Sequence, residues 1–142
     1  MKPKVLVLGG TGFIGRALCN QLLDQGHTLY VVSRRPDQVN GIIGRPVNAA
    51  SDPLQWLDQP IDVMLNLAGA PIADARWGDA RKEGLLQSRL RPTRQLVRFA
   101  KEASHKPKVL ISGSAIGFYG AHGDDEVTEA SESHDEFAHR LC

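Results

Sequence analysis

Four consecutive apolar residues, Val5-Leu6-Val7-Leu8, run directly into Gly9-Gly10-Thr11-Gly12-Phe13-Ile14-Gly15, and no other segment limits the fold so tightly. The string satisfies GxGxxG as Gly10-x-Gly12-x-x-Gly15. Its surroundings supply the context that spacing alone lacks. Phe13, Ile14, Ala17, Leu18, Leu22 and Leu23 follow at helical spacing, and Gly26 is placed as a helix stop. A strand, a tight turn and a helix start in succession gather backbone N–H groups at a helix N-terminus, where a pyrophosphate binds. Gly15 lets that helix pack closely on the strand. A phosphate P-loop shares the Gly10-to-Gly15 separation, but Arg16-Ala17 stands where such a loop needs Lys-Ser/Thr, so a nucleoside triphosphatase is excluded.

Further β-rich runs occur at Leu29–Val32, Ile61–Leu67 and Val109–Ile111, with a weaker one at Pro46–Val47. Runs apolar on both faces are the mark of parallel strands buried between helices. A longer helical region spans Asp79 to Ala103, with Leu86, Leu90, Val97 and Ala100 on one stripe. Pro92 lacks an N–H there and predicts a kink or a two-helix break near Arg91. Ser133–Leu141 reads as the opening of a last helix. Strands alternating with helices give an α/β chain with a doubly wound parallel sheet and a ligand at the C-terminal ends of its strands. The Val109–Ile111 strand is then an open edge, through which homo-oligomers are expected to form.

The 142 residues suit one domain, and 42% apolar with 23% charged residues excludes low-complexity disorder. No stretch approaches the roughly 20 apolar residues that cross a bilayer, and no membrane partner is expected. Cys19 and Cys142 lie far apart without CxxC spacing, which argues against a disulfide framework and points to a reducing, cytoplasmic setting. Residues 1–115 carry 16 basic and 9 acidic side chains, whereas residues 116–142 carry 1 and 7. A basic body of this kind suggests an anionic ligand. Arg91, Arg94, Arg98 and Lys101 fall around the polar face of one helix with little aromatic interleaving, so they read as a solvated face and not as a nucleic-acid groove. His122, His134 and His139 have no metal-ligand spacing, and no metal is expected. Trp56 and Trp77 read as packing residues.

The second strand bears on the choice of dinucleotide. NAD sites place an acid about 20 residues past the glycines for the ribose 2′-OH, whereas this chain reads Val31-Val32-Ser33-Arg34-Arg35. Ser33 can hydrogen-bond and Arg34 can pair with a 2′-phosphate, so NADP(H) is favoured over NAD(H).

The glycine turn, Asn66-Leu67-Ala68-Gly69 and Ser112-Gly113-Ser114-Ala115-Ile116-Gly117-Phe118-Tyr119-Gly120 occur in the order found in the extended short-chain dehydrogenases/reductases, which the chain resembles. Asn66-Leu67-Ala68-Gly69-Ala70-Pro71-Ile72, Arg76-Trp77, Arg81-Lys82 and Ser88-Arg89 resemble, more narrowly, the NAD-dependent epimerase/dehydratase-like, nucleoside-diphosphate-sugar epimerase-like branch. The resemblance covers the N-terminal part of a longer architecture. It implies a Rossmann-type, three-layer αβα NAD(P)-binding domain over residues 1–142, truncated after five strands and lacking a C-terminal substrate lobe. By the same resemblance Gly9, Thr11, Gly12, Phe13, Ile14 and Gly15 line the pyrophosphate, and Ser33 and Arg34 hold the adenosine ribose. Leu67, Ala68 and Gly69 lead toward the nicotinamide ribose, and Asp52 approaches the adenine. Ser114 is the implied catalytic hydroxyl, with Ser112 as its substitute. Arg89 stands where many members carry an asparagine, and is read as part of a solvated helix face or, alternatively, as a contact for an anionic substrate.

The superfamily's Tyr-x-x-x-Lys pair is missing. Position +4 is Arg34 after Tyr30 and Gly123 after Tyr119, and Phe137, near the expected place, is followed by Leu141. Two functions are therefore expected. One is the NADP(H)-binding domain of a nucleoside-diphosphate-sugar epimerase or oxidoreductase, with hydride transfer to a small-molecule substrate only in the longer protein. The other is a non-catalytic NADP(H)-binding or redox-sensing module.

Overall fold

Each residue of the first strand points to the face opposite its neighbour, and both faces are buried, which sets the layout of the molecule. The computed structural model describes all 142 residues. β1 (Lys4–Leu8) directs Val5 and Val7 to one face of the sheet, where they meet Cys19, Leu29, Val31, Val39, Ile43 and Leu65. Leu6 and Leu8 face the other way, toward Tyr30, Ile61, Met64, Leu96, Phe99 and Ala103. The first cluster is roofed by α1 (Phe13–Asp24) and α2 (Pro36–Ile43), and the second by α3 (Asp79–Glu102). Burying a large apolar side chain contributes about 1.5–3 kcal/mol, so these two layers supply most of the driving force.

The remaining strands are β2 (Thr28–Val32), β3 (Asn48–Ala50), β4 (Val63–Asn66) and β5 (Val109–Ser112). All pairings are parallel and the order is β3-β2-β1-β4-β5. This is a Rossmann-type α/β sheet with helices on both faces. The chain runs outward from β1 to β3, then returns to place β4 on the other side of β1, so the strand order reverses between β1 and β4, the point at whose C-terminal ends open α/β sheets take their ligands. β5 pairs only with β4, and its Val109, Leu110 and Ile111 are 46%, 48% and 54% exposed. No helix is long and apolar enough to cross a membrane.

Several expectations shift. The third strand lies at Asn48–Ala50, two residues beyond the Pro46–Val47 run. The apolar stripe of α1 begins at Gly15 and Cys19, because Phe13 and Ile14 are 90% and 66% exposed. α3 runs unbroken through Pro92, and its buried residues are Leu85, Leu96 and Phe99, whereas Val97 is exposed. Side chains bond the carbonyls around the proline: Ser88 Oγ and Arg89 Nη1 donate to the Leu85 carbonyl, and Thr93 Oγ1 donates to that of Arg89. The carbonyl that Pro92 leaves without a helical donor is that of Ser88, and the helix absorbs this one lost bond because Leu85 before it and Leu96 and Phe99 after it are all buried. The last helix, α4, covers only Phe137–Leu141: Glu136 before it is extended, the N–H of His134 donates to the Tyr119 carbonyl (2.9 Å) and Asp135 pairs with Arg140. Phe137 packs edge-on against Trp77 at 5.2 Å between ring centroids, and Trp56 packs likewise on Tyr30 at 5.2 Å.

Candidate functional site

The turn after β1 can be built only from small residues. Gly9 has φ +83°, and a Cβ on it would lie 2.5 Å from the carbonyl carbon and oxygen of Leu67. A Cβ on Gly15 would lie 2.1 Å from the Gly9 carbonyl oxygen, so the helix start rests on the turn itself. The Gly12 N–H donates to the Gly9 carbonyl (3.1 Å) and the Gly12 carbonyl accepts from Arg16 (2.9 Å), which starts α1. Gly12 is the N-cap and offers no side chain, so the N–H groups of Phe13, Ile14 and Gly15 at the opening of α1 receive no side-chain cap. Free donors at the positive end of a 12-residue helix form an anion site that a bound group can complete. Thr11 is half-buried beside them.

On one side of this turn lies the end of β2. Ser33 donates its N–H to the Ala50 carbonyl (2.9 Å), and its Oγ accepts from the Arg35 N–H (3.2 Å), which leaves the hydroxyl proton directed elsewhere. Arg34 is exposed and pairs with no carboxylate within the protein. Asp52 is occupied as the cap of the short 3-10 turn at Pro53–Trp56, accepting from Leu54 N–H at 3.0 Å.

On the other side lies the end of β4. Asn66 is the one buried polar residue, a role its place in the sequence motif did not convey. Its Oδ1 accepts from Ala68 N–H (3.4 Å) and its Nδ2 donates to Thr93 Oγ1 (3.1 Å), so a single amide ties the Leu67-Ala68-Gly69 loop to the middle of α3. Ser88 Oγ adds a second tie by accepting from Ala70 N–H at 3.0 Å. Arg89 does not lie on a solvated face. It is half-buried, and its guanidinium carbon would be 3.0 Å from a Cβ on Gly69.

Beyond β5, the Gly113 N–H donates to the Asn66 carbonyl (2.8 Å), which sets the Ser112-Gly113-Ser114 segment beside the β4 loop. Ser112 and Ser114 are exposed. Tyr119 caps the short 3-10 turn at Ile116–Phe118, and its carbonyl accepts from His134 N–H at 2.9 Å. The structure thus brings Gly9 to Gly15, Leu67 to Gly69 and Ser114 to one edge of the sheet, with Ser33 and Arg34 at the end of the neighbouring strand.

Comparison with known proteins fits this geometry. The model of the NAD dependent epimerase/dehydratase family matches residues 5–140. The epimerase family protein YfhF of Bacillus subtilis (strain 168) is 38% identical over 135 residues, covering 93% of this chain and 44% of that protein. The crystal structure of human epimerase family protein SDR39U1 (isoform2) with NADPH has a TM-score of 0.79 at 30% identity, over 97% of this chain and 45% of that one. UDP-glucose 4-epimerase from Bifidobacterium longum, in complex with NAD+ and UDP, shares the fold at TM-score 0.73 and 22% identity, again over 97% and 45%. The chain spans less than half the length of each of these proteins.

Proposed function

This chain belongs to the NAD dependent epimerase/dehydratase family, and from that premise we propose that residues 1–142 form the NADP(H)-binding domain of a nucleoside-diphosphate-sugar epimerase or oxidoreductase. The observation that carries the reading is the uncapped first turn of α1 above a turn in which Gly9 and Gly15 leave no room for a Cβ. The main chain of Gly9, Thr11, Gly12, Phe13, Ile14 and Gly15 cradles the pyrophosphate. A bound dinucleotide also covers Phe13 and Ile14, whose exposure is otherwise unfavourable. Ser33 and Arg34 hold the adenosine ribose, with the unpaired Arg34 fork on a 2′-phosphate. Leu67, Ala68 and Gly69 border the nicotinamide ribose. The NADPH of the human relative supports the phosphorylated form.

When bound, the cofactor supplies hydride transfer to or from a substrate carbon. Ser114 positions a substrate carbonyl or alcohol with its exposed hydroxyl. Neither tyrosine has a lysine at +4 to lower its pKa, so proton exchange calls for a group beyond these 142 residues, and turnover belongs to the longer protein. The same lack of a lysine partner favours a second reading, a non-catalytic NADP(H)-binding or redox-sensing module. Its two free thiols suit a cytoplasmic setting.

Calorimetric titration with NADPH and NADH, repeated with Arg34→Ala, tests the proposal. NADPH binds more tightly, and Arg34→Ala lowers its affinity toward that of NADH; equal affinities, or no binding to the folded chain, refute it. Saturable NADPH oxidation that Ser114→Ala abolishes eliminates the non-catalytic reading.

A further inference from the structure

Every arginine of this protein except one is either exposed to solvent or paired with a carboxylate. Arg16, Arg34, Arg35, Arg76, Arg91 and Arg94 are exposed. Arg45 pairs with Asp24, Arg81 with Asp74, Arg98 with Glu102 and Arg140 with Asp135. Arg89 alone is half-buried with no carboxylate beside it.

Its partners are all neutral. Nη1 donates to the Leu85 carbonyl (3.2 Å), to Ser88 Oγ (3.2 Å) and to the Ala70 carbonyl (3.4 Å). Charge-assisted bonds of a guanidinium run to about 2.7–2.9 Å, so these three are long, and all come from one nitrogen. Nε and Nη2 donate to no group of the protein. A guanidinium has five N–H donors in a planar fork, and withdrawing it partly from water without a counter-charge is unfavourable until an anion arrives.

The place is defined as well as the charge. Cζ, Nη2 and Nη1 lie 3.0, 3.2 and 3.3 Å from the position of a Cβ on Gly69, so the head group occupies the space that a side chain there would fill. Ser88 fixes the floor beneath it, accepting from Ala70 N–H and donating to the Leu85 carbonyl at 2.6 Å. Ser114 lies on the adjoining loop, held there through the Gly113 bond to Asn66.

We infer that Arg89 is an anion-recognition residue at the β4 side of the site, taking a carboxylate or phosphate oxygen of the substrate. The inference rests on the dinucleotide reading for what lies beside it at the ends of β1 and β4. The substrate is therefore a compound whose reacting carbon is near an acidic group, and Arg89 fixes which end of it faces Ser114.

The test is an amide-resolved NMR titration of the full chain with oxalate and with inorganic phosphate, each run with and without saturating NADPH. The expected result is a saturable shift of the Gly69, Ala70 and Ser88 amides by at least one anion with NADPH present. Arg89→Gln weakens it by about ten-fold or more, Arg89→Lys by less, and both keep NADPH affinity within about two-fold. Gly69→Val, which displaces the head group without removing the charge, weakens the same shift in a chain whose spectrum remains folded. Absence of a saturable shift in the unaltered chain, or a shift that survives Arg89→Gln, overturns the inference. Competition between the anions and NADPH, with NADPH affinity lost in Arg89→Gln, assigns the charge to the cofactor's phosphates and also overturns it. Failure of the dinucleotide reading is seen separately, as no NADPH binding by the unaltered chain; the titrations without NADPH then decide Arg89.

Discussion

The Cα of Gly9 is pressed against the backbone of Leu67, so closely that a Cβ would sit 2.5 Å from the Leu67 carbonyl carbon and oxygen. The turn after β1 and the loop after β4 are thus one surface, joined main chain to main chain. Gly9→Ala forces them apart and holds alanine at φ +83°, so it is expected to destabilise the fold by about 2–4 kcal/mol. Gly12→Ala meets only the Gly9 carbonyl oxygen, at 3.3 Å, and should retain the fold while weakening NADPH binding at the helix start. Urea unfolding and nucleotide titration of the two variants separate these effects. A Gly9→Ala chain with an unchanged unfolding midpoint would contradict the close contact.

Cys19 and Cys142 should differ sharply toward a thiol reagent. Cys19 is buried between α1 and the sheet, and burial pushes its thiol up to about 11, whereas Cys142 is exposed. One thiol per chain should react with a maleimide under native conditions and the second only on unfolding. Since the folded value lies above the ordinary one, the neutral thiol's contribution is present below about pH 9 and fades as the pH rises toward 11. Cys19→Ala should therefore show a shallower alkaline loss of stability than the unaltered chain. Two thiols reacting at the same native rate would show that Cys19 is accessible.

Asp62 joins the starts of three strands at the end of the sheet opposite the site. Its Oδ2 accepts from Lys4 N–H at 3.0 Å, Lys108 lies 3.3 Å from Oδ1, and His105 lies 3.7 Å away. The Lys4 backbone bond, aided by Lys108 and His105, holds the carboxyl below its usual range. A depressed folded value means that the stabilisation is complete above the ordinary carboxylate range and is lost as the pH falls through the folded value. Asp62→Asn should lower the melting temperature at pH 7 and flatten its decline under acid. Parallel acid slopes for the two proteins would rule this out.

The exposed apolar strand β5 should drive association. Val109, Leu110 and Ile111 are about half exposed, and the outer edge of the strand has no partner. Sedimentation velocity across a concentration series is expected to show average mass rising above 15.5 kDa, and Leu110→Glu with Ile111→Lys to restore the monomer. A monodisperse monomer at high concentration would show that the edge is silent.

What could be read from the residues alone follows the range of the forces involved. β1, β2 and β4 announce themselves because each buries apolar side chains on both faces, a demand written in consecutive residues, and β5 is legible from the same kind of run although Val109, Leu110 and Ile111 are about half exposed. β3 carries only Asn48, Ala49 and Ala50, so the apolar pattern points instead to Val47, the larger apolar neighbour. α2 has only eight residues and two buried side chains, Val39 and Ile43, too little to register as a period. Pro92 suggests a break because a spacing rule counts the lost N–H but not the burial of Leu85, Leu96 and Phe99, which holds both halves of α3 in one helix. The glycine turn is legible as a strand, a tight turn and a helix start with Gly15 as the close-packing residue, whereas the exposure of Phe13 and Ile14 is not. The burial of Arg89 against Gly69 was not, since it depends on a helix and a loop 20 residues apart in the chain.

The position of β1 at the centre of the sheet has a further consequence during synthesis. Of the five strands β1 leaves the ribosome first, and β2 can cover one of its edges once residue 32 has emerged, but the other edge waits for β4 at Val63–Asn66. At ordinary translation speed that wait is roughly 2–7 s. Throughout it the nascent chain displays the most apolar strand of the protein with half its hydrogen-bonding groups unmatched. The time of greatest exposure to misassembly therefore falls before the polypeptide is released.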